Sequence, residues 1–547
     1  MKIATYIHTL RYLRPQQVYG RLWRGIHKPR ADASPAPPIR ERSRVWSMCP
    51  GHRPQILGPE TFRFMNDTRR LTGSDGWNSV SSDELWLYNL HYFNDLVAEG
   101  FGERAAWHQR LLERWVRENP PAQGTGWEPY PLSLRITNWI KWALVGGDLD
   151  PVLIQSLATQ ARYLSRRLEY HLLGNHLLAN AKALIFAGAF FVGPEADRWL
   201  SVGQEVLCSE LAEQFLADGG HFERSPMYHS TLTEDLLDLV QVQELYATED
   251  FQNRLRLVLE TIDLRRVLKW LTTMTHPDGE IAFFNDAAIG IASRAAELKR
   301  YAASLGVTCD QSAPSLLSYL EDSGYVRMQA GPATVFLDVA RLGPDYLPAH
   351  AHADTLSFEL SLGGRRLLVN SGTSTYTGSL RQWQRGTAAH NCLTVDEADS
   401  SEVWGSFRVA RRAQPLDVRV EVGQTSASHD GYRRLSGSPI HRRQCKLSSS
   451  RLEIEDAIEG TGRHRVALHF HAAPGLEIKP DGDRWLLCEN GTIRASLSCP
   501  AETQSEVVDT EYYPEFGLAV PNKTLIARWH GVLPFRGKTL ILWGEDA

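Results

Sequence analysis

The stretch LSFELSLGGRRLLVN, Leu356 to Asn370, alternates apolar and polar residues up to a Gly-Gly pair. Side chains of an extended strand point to opposite faces in turn, so Leu356, Phe358, Leu360 and Leu362 share one face. Gly363-Gly364 supplies the positive φ of a tight hairpin, and RRLLVN returns alongside. The same punctuation recurs in WLLCENGTIRASL, Trp485 to Leu497, around Asn490-Gly491. TVFLDVARL, CLTVDE, LEIEDAIE, VALHFHA and KTLILWG add short strands with no helices between them. Residues 314–547 therefore read as an antiparallel β-sandwich.

Upstream the period changes. Leu173, His176, Leu177, Asn180, Ala181 and Leu184 follow helical spacing and predict one half-buried face. SLRITNWIKWAL (Ser133 to Leu144) and TLTEDLLDLVQVQEL (Thr231 to Leu245) repeat it, so residues 83–313 read as a helical toroid or solenoid. Residues 1–82 hold an N-terminal helical segment and a Pro- and Ala-rich linker, ADASPAPPIR (Ala31 to Arg40). The fold class is α+β and multidomain, helices first and strands second.

A chain of 547 residues is too long for one core. Its net charge of −5, without a basic block, argues against nucleic acid as partner. A local basic cleft could still hold an anionic sugar. The 16 Trp, 18 Tyr and 18 Phe suit stacking on sugar rings as well as ordinary core packing. Cys49, Cys208, Cys309, Cys392, Cys445, Cys488 and Cys499 are scattered and form neither a disulfide framework nor a cysteine zinc site. The opening MKIATYIHTLRYLRPQQVYGRLWRGIHKPR carries Arg11, Arg14, Arg21 and Arg24 without the apolar core of a secretory signal. No apolar run is long enough to span a bilayer. The expectation is a cytoplasmic protein, or a periplasmic one if exported by an unrecognised route. The opening itself reads as a docked amphipathic helix, with a membrane-surface helix as the alternative.

Four polar clusters interrupt the apolar pattern. Asn175 and His176, with Asn180, sit among leucines in LLGNHLLANAKAL, where a polar group must be hydrogen-bonded or face a cavity. DGGHFERSPMYHSTLTEDLL packs His221, Glu223, Arg224, Tyr228 and His229 into one turn and helix start, the composition of a cleft-lining loop. LPAHAHADTLSFEL places His350 and His352 on one side of an extended segment. RQWQRGTAAHN brings Arg385 and His390 to the start of another strand, compatible with a shared metal. WEPYPLSLRITNW adds Trp127, Arg135 and Asn138, suited to sugar stacking and carboxylate binding. HPDGEIAFFNDAA (His276 to Ala288) reads as an acidic turn, or a loop packed by its own aromatics.

Taken together, GNH, DGGHFERSPMYH, PDG, AHAHADTLSFEL, NSGT and RGTAAHN resemble the heparinase II/III family of polysaccharide lyases, in that order along the chain. HTLRYLRPQQVYGRLW is similar to segments of relatives associated with bacterial surface-polysaccharide biosynthesis. The resemblance implies an incomplete α/α toroid followed by an antiparallel β-sandwich. It also implies β-elimination at a uronic acid: C5 proton abstraction with O4 as leaving group. Asn175 and His176 would then contact the carboxylate, Tyr228 would be the base and an acid towards O4, and His350 would assist. A free Tyr has a pKa of about 10 and needs a positive neighbour, here Arg224, Arg385 or a His, to favour the phenolate.

No cofactor is required by this chemistry. The resemblance does imply a structural zinc or other divalent ion at His352, Asn370 and His390, where some members hold a His, an Asp and a His. Asn370 offers only a neutral oxygen, so a hydrogen-bonded cluster of the three is the alternative. Besides a lyase acting on an anionic uronate polysaccharide or oligosaccharide, a uronate C5-epimerase and a non-catalytic glycan-binding or assembly protein share these features.

Overall fold

The computed structural model describes residues 3–42, 44–246, 255–308 and 315–546. Two short helices, α1 (Ile3–Leu10) and α2 (Pro15–Ile26), open the chain. The Pro-rich segment then runs extended across the helix Pro151–Ser165, where Arg162 donates to the carbonyl of Pro35 at 2.9 Å. A small antiparallel sheet of three strands, Ile56–Gly58, Thr61–Phe64 and Asp67–Arg70, follows; the sequence reading had no strands there.

Helices Glu84–Tyr92, Ala105–Glu118, Pro129–Leu144, Pro151–Ser165, Gly174–Phe190, Pro194–Gln214, Pro226–Leu245, Leu264–Thr273 and Ala295–Ser304 build the next layer. Four of them begin with proline, whose fixed φ suits a first turn that needs no N–H. Asp83, Asp150 and Asp263 cap helix N-termini with their carboxylates. Gly174–Phe190 is not half-buried as its spacing predicts. Every residue of it except His176 is buried, because neighbouring helices cover it on all sides. Lys141 and Lys182, from two of those helices, both reach Asp238, which also accepts from Tyr301 at 2.9 Å.

The strands form antiparallel sheets. A five-stranded one runs in chain order through Leu317–Leu320, Tyr325–Ala330, Ala333–Asp338, Phe358–Leu362 and Arg365–Leu368. An eight-stranded sheet extends from Pro415–Glu421 at one edge to Leu476–Asp481 at the other. A four-stranded sheet pairs Gln504–Tyr512, Val520–Val532, Arg463–His471 and Leu393–Val395. Both expected hairpins are present. Leu362 pairs with Arg365 across Gly363-Gly364, and Glu489 with Thr492 across Asn490-Gly491, with positive φ at all four turn residues.

The strand Phe358–Leu362 alternates in sequence yet is buried on both faces. Glu359 on its second face bonds His276 at 2.9 Å and accepts from the backbone N–H of Phe283, so the polar face is covered by a loop of the helical half. One apolar core accordingly mixes Met227, Leu237 and Leu298 of the helices with Val335, Phe358 and Ile454 of the sheets. The boundary at 313/314 falls outside the described residues, as does Cys309. The other six cysteines are unpaired.

Candidate active site

A cleft of about 1100 Å³ lies between the helical and β halves. Asn175, His176, Tyr228 and His350 all line it, although they come from three distant segments. Each is placed by local structure. Leu173 and Gly174 both adopt positive φ just before Asn175. For a leucine that is a strained conformation, and it turns the helix start towards the cleft. A Cβ on Gly174 would stand 2.4 Å from Leu347, so the β half packs directly against this turn. Ser225 caps the next helix by accepting from the N–H of Tyr228 at 3.2 Å, and it donates its hydroxyl to the carbonyl of Asp286.

Tyr228 and His350 stack face to face, with centroids 4.0 Å apart and planes 20° apart. The Nδ1 of His350 bonds the buried carboxylate of Glu223. Burial opposes ionisation of Glu223, but the facing His350 outweighs it and holds the carboxyl below its ordinary range. The hydroxyl of Tyr228 meets that of Tyr376 at 2.8 Å. Burial pushes both phenols well above the usual range, so each is protonated. His176 bonds Glu169 at 3.3 Å and packs on Tyr130.

Asn180, by contrast, is a satisfied core group: it donates to Ser133 at 3.0 Å and accepts from the N–H of Glu169 at 2.8 Å. Of the other expected sugar-binding residues, Glu223 serves the cleft only through His350. Trp127, Arg135 and Asn138 stand outside the cleft wall and are buried. Arg135 is saturated by Gln160 and the carbonyls of His91 and Gly126, and Asn138 donates to the carbonyl of Tyr92. His221 is buried against Gln214, and burial lowers its pKa to about 4. Arg224 donates to the carbonyls of Arg341 and Asp322, and Arg385 to those of Ala351, Gly405 and Ser406. Neither arginine is the neighbour of Tyr228; that place is taken by the stacked ring of His350.

Three residues absent from the sequence reading matter here. Tyr376 sits in the Ser- and Thr-rich loop after the strand Arg365–Leu368, and an isolated Tyr among small polar residues was the only available signal. Asp286 is a buried hub: Arg381 reaches it with both guanidinium nitrogens, one at 2.8 Å, and His352 Nε2 bonds it at 2.8 Å. Burial opposes its ionisation, yet Arg381 and His352 hold the carboxyl far below its ordinary range. Arg381 in turn lies 5.0 Å from the ring centre of Tyr376.

The third missed residue is Asp354. His390 Nδ1 lies 2.8 Å from the carbonyl of Gly386, so Nδ1 carries the proton and Nε2 the lone pair. His352 donates Nε2–H to Asp286, which leaves the lone pair on Nδ1. Those two lone pairs face each other at 3.1 Å, an arrangement that calls for a proton or a cation between them. The carboxylate of Asp354 completes a compact, buried set of three ligand groups. Asn370 does not belong to it. Its amide donates to the carbonyl of Phe283 at 2.8 Å and accepts from the N–H of Asn391 at 3.0 Å.

Known proteins place this geometry. The family description "Heparinase II/III N-terminus" matches residues 104–308, and "Heparinase II/III-like, C-terminal" matches residues 313–543. The chain belongs to the heparinase II/III family. A heparin-sulfate lyase of Bacteroides stercoris is 26% identical over 331 residues, 56% of this chain and 47% of that protein. Another, of Pedobacter heparinus, is 29% identical over 267 residues, 44% of this chain and 39% of that protein. The chain thus spans about half or less of the length of these two relatives. A crystal structure of heparinase III superposes with a TM-score of 0.71 at 19% identity, covering 88% of this chain and 81% of that one. A heparan sulfate lyase, HepC from Pedobacter heparinus, superposes with a TM-score of 0.57 at 17% identity, covering 97% and 88%. Both likenesses establish the heparinase III-like fold.

Proposed function

We propose that the protein is a polysaccharide lyase that cleaves uronic-acid-containing glycans by β-elimination. The observation that carries this reading is the convergence of Asn175, His176, Tyr228 and His350 on one cleft, with Tyr228 stacked on an imidazole tied to a carboxylate. The C5 proton lies α to a carboxylate, so that carboxylate must be neutralised before the proton can leave. The amide of Asn175 and the imidazole of His176 serve that purpose. His350, bonded to the Glu223 carboxylate, stacks on the Tyr228 ring and fixes its place in the cleft. The Tyr228 hydroxyl proton passes to the Tyr376 oxygen as the Tyr376 hydroxyl proton goes to the departing O4, and the freed Tyr228 oxygen takes the C5 proton. Electrons from the C5–H bond form the C4–C5 double bond as the C4–O4 bond breaks.

The hydroxyls of Tyr228 and Tyr376 lie 2.8 Å apart and so would approach a bound sugar ring from one side. Epimerisation needs proton donors on opposite faces, so the pair favours elimination. The cleft wall also suggests a substrate of low charge density. Among the described residues it carries Arg21, Arg69, Arg408 and Arg412 beside Asp67, Asp83, Glu84, Asp345 and Glu511. Arg69 pairs with Asp67 at 2.6 Å and Arg412 with Asp345 at 2.8 Å, which leaves Arg21 and Arg408 beside Asp83, Glu84 and Glu511 and gives the wall no net positive charge for sulfate groups.

His352, Asp354 and His390 are the residues that would hold a divalent ion. A bound ion would be structural, tying together the segments that carry His350 and Arg381. The reading is tested by running turnover in deuterated water and weighing the products. Shortened chains with an unsaturated end support elimination; full-length chains that gain deuterium at C5 mean epimerisation instead.

A further inference from the structure

The helices α1 and α2 are attached to the protein the wrong way round for a docked surface helix. On α2 the inward positions are Gln17, Gly20 and Arg24. Gln17 donates to the carbonyl of Tyr346 at 3.2 Å, Arg24 meets His171 at 2.6 Å, and a Cβ on Gly20 would stand 2.8 Å from that of His171. The opposite face is apolar and open: Val18, Tyr19, Leu22, Trp23 and Ile26, with Leu22 62% and Trp23 63% exposed. On α1, Ile3, Ile7 and Leu10 are likewise exposed, and no residue of this helix is buried. A soluble helix turns its apolar stripe to the core; a contiguous apolar face turned outward marks an interaction surface.

The charge around that face identifies what it meets. Residues 1–31 contain seven Lys and Arg and no Asp or Glu, in a chain whose net charge is −5. Arg21, Lys28 and Arg30 are exposed at its margin. An isologous contact with a second copy would set these like charges against each other. Apolar and aromatic side chains fringed by cations are the composition that enters the headgroup region of an anionic bilayer.

We propose that α1 and α2 dock this protein on the surface of an anionic membrane. The anchor is held firmly to both halves of the molecule: Arg14 pairs with Glu213 of the helices, and Trp404 of the β half donates to Thr9 at 3.0 Å. Tyr6, Leu10, Leu13, Gln17 and Arg21 also contribute to the cleft wall, so docking sets the cleft beside the bilayer.

The test is cosedimentation of the full chain with vesicles of phosphatidylcholine containing about one third phosphatidylglycerol, compared with phosphatidylcholine alone. The expected result is binding at least about tenfold tighter to the anionic vesicles, weakened by added salt. The double variant Leu22→Glu with Trp23→Glu loses at least about tenfold of that binding while its thermal unfolding midpoint stays in place, since both side chains are exposed. Equal binding by variant and parent, equal binding to neutral vesicles, or no binding at all overturns the proposal. So does a solution dimer that the variant disperses, because the face then belongs to a second copy.

Discussion

The ring of Tyr228, from the helical half, lies flat on the ring of His350, from the β half, with centroids 4.0 Å apart. Neither half alone can assemble the proposed acid–base pair. Tyr228→Phe keeps the stack and removes only the hydroxyl. It is expected to lower kcat by at least about 10²–10⁴-fold, the usual contribution of a positioned acid or base, with the unfolding midpoint unchanged. Tyr376→Phe should fall in the same range, and the double variant should be little worse than either single one, as residues acting as a unit behave. Full activity of either single variant would remove that hydroxyl from the mechanism.

Glu223 touches His350, not the cleft, and its role is electrostatic. In Glu223→Gln the imidazole keeps a hydrogen-bond partner but loses the buried charge beside the Tyr228 stack. Activity at neutral pH should drop, and the pH at which kcat is half-maximal should move. A drop without that movement would indicate a packing role alone.

The reading of His352, Asp354 and His390 predicts close to one equivalent of a divalent metal, measured by elemental analysis of protein purified without chelator. Removing it should lower the unfolding midpoint, and Asp354→Asn should lower the metal content. Asn370→Asp should leave the metal content as it is, because the Asn370 amide is bound to Phe283 and Asn391. Metal-free protein of unchanged stability would mean that a proton bridges the two imidazoles.

Stability should fall in mild acid. Burial lowers His91 and His229 to about 3 and His221 to about 4, so all three are neutral in the folded protein. An unfolded His takes a proton below about 6.5. Between the folded and unfolded values the unfolded chain binds more protons, and stability declines as pH drops. Each His costs about 2 kcal/mol on going from pH 7 to pH 5. Glu210, pushed up to about 7 by burial, works in the opposite direction. It returns about 2 kcal/mol, so these four groups together lose on the order of 4 kcal/mol, and the buried His469 and His471 add to the loss. Urea midpoints at the two pH values check this, and a midpoint that rises at pH 5 would contradict it.

Which parts were legible in the sequence follows from how local their causes are. Gly363-Gly364 and Asn490-Gly491 announced their hairpins because the turn chemistry lies in the turn residues themselves. Asn175, His176, Tyr228 and His350 could be picked out because polar groups among apolar ones need a reason. Arg135 and Asn138 passed the same filter and proved to be core residues, since composition does not distinguish a carbonyl partner from a sugar. The Asp286–Arg381 pair spans 95 positions and left no local trace. Asp354 was overlooked beside Asn370 because only the folded chain shows whose lone pairs face inward. The small sheet within 56–70 was missed because its strands are three or four residues long, too short for a periodic signal.

The central claim, elimination at a uronate, is tested most directly by ultraviolet absorbance during incubation with unsulfated uronate polysaccharides, beside heparin as the sulfated comparison and Tyr228→Phe as the control. The account predicts a steady rise from the new C4–C5 double bond on an unsulfated chain, a slower rise on heparin, and none with Tyr228→Phe. A rise that Tyr228→Phe matches, or deuterium uptake at C5 with no rise on any chain, would contradict it.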